Sequence, residues 1–191
     1  MTRLLSRRRL LTVAAGGAAL AALPVRPASA ATDEELAYAN FAVSSELLLA
    51  DLYEKALAAK VATGPGSAAL RAGRRAAIQH AGALSGLLTG AGQDAPAAED
   101  FDFQWPAKVF DTPVAIAATA RVVLRALLGA YQTAIVSVSE PSYRILSTSL
   151  AASAGQQVGV LSALAASGVV EPFPVALDLE SARAMLEPYL G

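Results

Sequence analysis

Apolar residues recur at alternating steps of three and four along most of this chain. Over 32–62 the seam is Leu36, Ala39, Val43, Glu46, Ala50, Tyr53 and Leu57, and Asn40, Ser44, Asp51 and Lys55 form a polar stripe away from it. That rhythm is the signature of one helix face, because 3.6 residues complete a turn. A second seam, Leu70, Gly73, Ala77, His80, Leu84 and Leu87, runs to Gly90, with Arg71, Arg75, Gln79 and Ser85 towards the other side. The third, over 112–138, is Ala117, Ala120, Leu124, Leu127, Tyr131, Ile135 and Val138, with Arg121, Arg125 and Gln132 on a separate stripe. A fourth helix over 142–166 turns Tyr143, Leu146, Leu150, Gln157, Leu161 and Leu164 inward. No segment alternates with period two over a useful length, so the pattern predicts no sheet.

Punctuation residues sit between these runs. Thr32 and Glu35 have the spacing of a capping box. Gly64-Pro65-Gly66 breaks the chain, and Ser67 is placed to cap the second helix. Thr112-Pro113 opens the third helix, with proline in the first turn where its missing N–H costs nothing. Ser139-Glu140-Pro141 makes a corner, and Gly168 ends the fourth helix. The connection 92–111 is too long for a tight turn and reads as a crossover or a packed surface loop. The tail 171–191 reads as an extended strap followed by a small helix capped by Asp178. These elements predict an all-α four-helix bundle with a long middle connection and a short C-terminal helix.

Composition changes the picture at the N-terminus. Residues 1–30 read "MTRLLSRRRLLTVAAGGAALAALPVRPASA". A basic start, an apolar run over 10–23 and the small-residue end Ala28-Ser29-Ala30 predict an export signal. The order Ser6-Arg7-Arg8-Arg9-Leu10-Leu11 fits the twin-arginine type, and Gly16-Gly17 dilutes the apolar run as that route prefers. A general secretory signal rich in arginine is the alternative. The run is short for a bilayer span, so contact with the membrane is expected only in transit. The chain then divides into a signal over 1–30 and one bundle domain over 31–191, with a destination in the periplasm, the cell envelope or the medium.

The first thirty residues hold five arginines and no acid, leaving ten Lys plus Arg against sixteen Asp plus Glu, a net charge of −6, in residues 31–191. An acidic domain of this kind is a poor nucleic-acid binder. The chain contains no cysteine, which excludes disulfides, thiolate nucleophiles and thiolate-bound metal centres.

Two polar residues fall on inward seams. Glu46 lies about 150° round the helix from the middle of the polar stripe. His80, the only histidine, lies in the second seam. Counted outward from the turn near Pro65, the two are nearly level, which predicts a contact between them. An inward carboxylate needs a partner, because an unpaired buried charge is costly. Gln157 and the hydroxyls of Tyr53 and Tyr131 complete an expected polar centre. A buried hydrogen-bonded pair is the plain reading of Glu46 and His80; the others are a single weak metal contact completed by water, a binding role for the polar centre of Glu46, His80 and Gln157, and a seam that does not face inward. No G-x-S-x-G elbow and no glycine-rich phosphate loop occurs. Arg71, Arg74 and Arg75 read as a solvated face, or as a dock for a partner or an anionic polymer. Phe101, Phe103, Trp105 and Phe110 in the long connection read as a lid on the bundle, or as a small-ligand cleft or partner surface.

The segments "FAVSSELLLADLYEKAL" (41–57), "FDF" (101–103), "LLGAYQTAI" (127–135) and "AGQQVGVLSAL" (154–164) resemble the ferritin-like domain family of exported bacterial proteins. The resemblance covers most of 33–166 and implies an up-down-down-up four-helix bundle. Metal-binding members of that family supply a Glu from each of two helices and an E-x-x-H pair from each of the other two. Carried over, Glu46 matches the first-helix glutamate and His80 the E-x-x-H histidine. Ala77 and Leu124 then stand where glutamates should be, and Ala154 and Gln157 replace the second E-x-x-H pair. No Asp or Glu occurs in 114–138 or 142–166, so a shift of register restores nothing. The resemblance therefore implies a member that lacks most of its metal ligands, without a metal cofactor or catalytic residues. Its expected role is binding, scaffolding or accessory work for an unknown protein or cell-envelope partner. The alternatives are a metal-dependent oxidoreductase with an atypical site and a small-molecule carrier.

Overall fold

A computed structural model describes residues 31–164 and 174–191. The expected export signal over 1–30 and the expected stop of the fourth helix at Gly168 lie outside the described residues. Five α-helices are present among the described residues: α1 (Asp33–Ala58), α2 (Gly64–Gly90), α3 (Pro113–Ser137), α4 (Pro141–Leu164) and α5 (Leu179–Leu190). No strand occurs there.

Three of the five helix starts, those of α1, α3 and α5, follow from a capping side chain. At α1 the Thr32 hydroxyl accepts the Glu35 N–H at 3.2 Å, and the Glu35 carboxylate accepts the Thr32 N–H at 2.8 Å. The box satisfies two N–H groups that the first turn leaves without intrahelical partners. Thr112 caps α3 through the Ala115 N–H, and Asp178 caps α5 through the Ser181 N–H. Ser67 does not cap α2. That helix begins a turn earlier at Gly64, with Pro65 in its first turn, and the Ser67 hydroxyl accepts from Arg71 at 2.6 Å instead. Proline has a helical φ and no N–H to satisfy, so the chain enters the helix at Pro65 without a side-chain cap. Helix α1 stops at Ala58 rather than 62, because Lys60 turns into the left-handed region at φ +58°.

Helix α1 packs on α2 and α3 on α4, and the two hairpins close through α1–α3 and α2–α4 contacts. Glu35 meets Ser139, and Glu46 meets Tyr131, so α1 and α3 run antiparallel. Gly66 lies against Leu164 and Tyr53 bonds Gln157, which sets α4 antiparallel to α2 and parallel to α1. The path is up-down-down-up, and the long connection carries the chain the length of the bundle between α2 and α3. It contains one short 3-10 turn, Ala98–Asp100.

Two features widen the core beyond the four seams. Residues 126–131 of α3 are all buried, more than one face of a helix. Helix α5 lies over α3 and α1 with Ala182 and Leu186 fully buried. The strap before α5 crosses α3 at Gly129, where the Leu177 N–H donates to the Gly129 carbonyl at 3.0 Å. A Cβ at Gly129 would lie 2.7 Å from Leu177 Cγ, so the crossing requires glycine.

The second feature is Glu35, buried at 2% exposure. One carboxylate oxygen serves the cap of α1. The other accepts from the Ser139 N–H at 2.8 Å, the Ser139 hydroxyl at 3.0 Å and the Glu140 N–H at 2.9 Å. One side chain thus ties the start of α1 to the α3–α4 corner.

Candidate functional site

Glu46 and His80 meet inside the bundle because each occupies the inward seam of its helix. His80 Nδ1 lies 3.2 Å from Glu46 Oε1, and the two residues are 5% and 3% exposed. With the carboxylate oxygen as acceptor, the contact places a proton on Nδ1. The Tyr131 hydroxyl of α3 donates to the same Oε1 at 3.0 Å. Glu46 Oε2 is buried without a hydrogen-bond partner. Burial, and then the field of Glu46 and the hydrogen bond to it, push the Tyr131 phenol well above its ordinary range. Burial, followed by the charge of Glu46, raises the Tyr53 phenol too. Both tyrosines therefore act as neutral hydroxyl donors.

Gln157 stands apart from this pair. It is half-buried; its Oε1 accepts from the Tyr53 hydroxyl at 2.7 Å, and its Nε2 reaches Ser153 Oγ at 3.4 Å. The Tyr53 ring fits over Gly73, whose missing Cβ would sit 2.8 Å from it. The expected polar centre is thus two hydrogen-bonded groups, Glu46–His80–Tyr131 and Tyr53–Gln157. Ala77, Leu124 and Ala154 are buried apolar positions. Among the described residues, no group of three or more His, Asp or Glu is gathered so as to hold a metal ion.

Most of the other candidates are engaged in structural contacts. Arg74 pairs with Glu54 at 2.8 Å and Arg71 with the Ser67 hydroxyl, while Arg75 is exposed. In the aromatic connection, Trp105 Nε1 donates to Asp51 at 2.7 Å, and the indole packs against Phe110 and Tyr189. The backbone of Gln104 donates to the Tyr189 carbonyl, so this loop binds α5 to α1. Asp51, read from the pattern as a solvent-facing residue, is half-covered by that loop. Sequence reasoning missed the buried role of Glu35. Its capping signal was visible, but its partners lie 104 and 105 positions away.

Chemically, the centre holds one carboxylate, one imidazole and two phenols. It can share a proton between Glu46 and His80. At this burial a solute reaches the pair only if the helices part.

A family model described as "Ferritin-like domain" matches residues 34–167. No curated protein and no solved structure matches the chain.

Proposed function

The chain belongs to the ferritin-like domain family, and from that premise we propose that it is an exported, non-catalytic member with a binding, scaffolding or accessory role in the cell envelope. The observation that carries this reading is the donor set at mid-bundle. A two-metal carboxylate centre needs several anionic ligands to neutralise and bridge its cations. Here one carboxylate and one imidazole converge, and the positions that the resemblance aligns with the remaining ligands are Ala77, Leu124, Ala154 and Gln157. These residues do not fit such a centre. Glu46 Oε1 is already engaged by His80 and Tyr131, which supports a hydrogen-bonding role for the carboxylate. A carrier role beneath the aromatic connection draws no support from the loop, since Trp105 is engaged by Asp51, Phe110 and Tyr189.

Export is proposed from the basic start, apolar run and small-residue end of residues 1–30. Two experiments test the proposal. Protein recovered from its own export route and assayed for metals should carry far less than one iron or manganese per chain; stoichiometric metal would favour the oxidoreductase alternative. Replacing Arg7, Arg8 and Arg9 by lysine should leave the full-length chain in the cytoplasm. Unchanged export would point to the general secretory route.

A further inference from the structure

The interior of the bundle contains a small cavity between Tyr131 and Tyr143. Residues from all four long helices surround it, chiefly Ala39, Ala42, Leu84, Ala134 and Leu146, with Tyr38 and Ser147 also in its wall. Its volume is about 10 Å³, close to the least that admits one water molecule. Dry cavities of this kind are lined by apolar groups alone. This one is not. Tyr143 is 4% exposed, and its hydroxyl is buried without a hydrogen-bond partner. Ser147, one helical turn further along α4, carries a second hydroxyl in the same wall.

A buried hydroxyl left unpaired is costly, and native structures satisfy nearly all such groups with protein or with ordered water. The neighbours of Tyr143 do not relieve it. Its phenol is raised first by burial and then by the charges of Glu35 and Glu140, so it keeps its proton and needs an acceptor. The Glu35 oxygen at that corner is already taken by Ser139 and Glu140.

We propose that this cavity is a hydration site for a single ordered water, anchored by the Tyr143 hydroxyl with Ser147 as second partner. The site explains why tyrosine rather than phenylalanine stands at the inward start of α4. It also places one water in the wall shared with Tyr131, whose own hydroxyl donates to Glu46.

The test is a crystal structure of the domain at high resolution, with and without Tyr143→Phe. A spherical density peak within hydrogen-bond distance of Tyr143 Oη, lost in the variant, is the expected result. An empty cavity in the parent protein, or a peak that persists unchanged in Tyr143→Phe, would overturn the assignment.

Discussion

Glu46 is satisfied on one oxygen only, and that determines how its removal should behave. Glu46→Ala leaves His80 and the Tyr131 hydroxyl buried without their acceptor, and should cost about 3–5 kcal/mol in urea unfolding. Replacing Glu46 and His80 both by leucine recovers much of that loss but still strands Tyr131, at about 1–3 kcal/mol. Adding Tyr131→Phe should bring the triple variant close to the parent. Equal, small effects from all three would mean the pair contributes nothing. Glu35 gives a different test. Burial alone would raise its carboxyl, but the N–H of Glu140, the N–H of Thr32 and the Ser139 hydroxyl and N–H outweigh it and bring the pKa down from 4.5 to about 2. A depressed folded-state pKa means that the unfolded chain binds the proton first as pH falls. The contribution is therefore complete above about pH 4.5 and is lost between there and about pH 2, about 3 kcal/mol in all. Glu35→Gln should flatten this acid limb of a stability–pH curve while lowering stability at neutral pH. The inward facing of Glu46 and His80 was legible, because a seam of threes and fours leaves few ways to place them. Tyr131 is expected in the polar centre and its hydroxyl bonds Glu46 there; the corner partners of Glu35 were not legible, because periodicity alone does not pair residues more than a hundred positions apart.

Helix α2 shows how an element can be read correctly in outline and differ in detail. Its inward seam, Leu70, Gly73, Ala77, His80, Leu84 and Leu87, is buried throughout. It begins at Gly64 rather than at Ser67, since a capping signal competes with proline and the proline lies nearer the break. Its glycines also have unlike roles that composition cannot separate. A Cβ at Gly73 would press on the Tyr53 ring at 2.8 Å, whereas one at Gly82 meets nothing within 4 Å. Gly73→Ala should therefore destabilise by about 1–2 kcal/mol net, overpacking outweighing the gain in helix propensity. Gly82→Ala should stabilise by about 0.5–1 kcal/mol, because only propensity changes. Thermal unfolding of the two single variants checks the opposite signs. Similar shifts would contradict the packing of Tyr53 over α2.

At the scale of the whole molecule, four periodic seams and two short corners foretold the bundle. The aromatic connection was expected to lid the bundle, but its partners Asp51 and Tyr189 and the docking of α5 were not foretold, because extended straps and aromatic loops lack a period to follow. Trp105 is the chain's only tryptophan, so its emission reports this docking directly. Asp51→Ala removes the acceptor for the indole N–H, and should shift the emission to longer wavelength while the helical circular dichroism stays near that of the parent. An unmoved spectrum would mean that the stacking on Phe110 and Tyr189 suffices to hold the ring.

The meeting of Gln104 with Tyr189 also bears on the order in which the molecule is made. A ribosome delivers the middle of the chain well before residues 177–190. Until those arrive, the greasy flank of α3 around Gly129 has no cover and the indole has lost one of its neighbours. The four long helices can begin to gather during synthesis, but the closing step waits for the final stretch to emerge, so a chain stalled before residue 177 is the form most exposed to proteolysis and clumping.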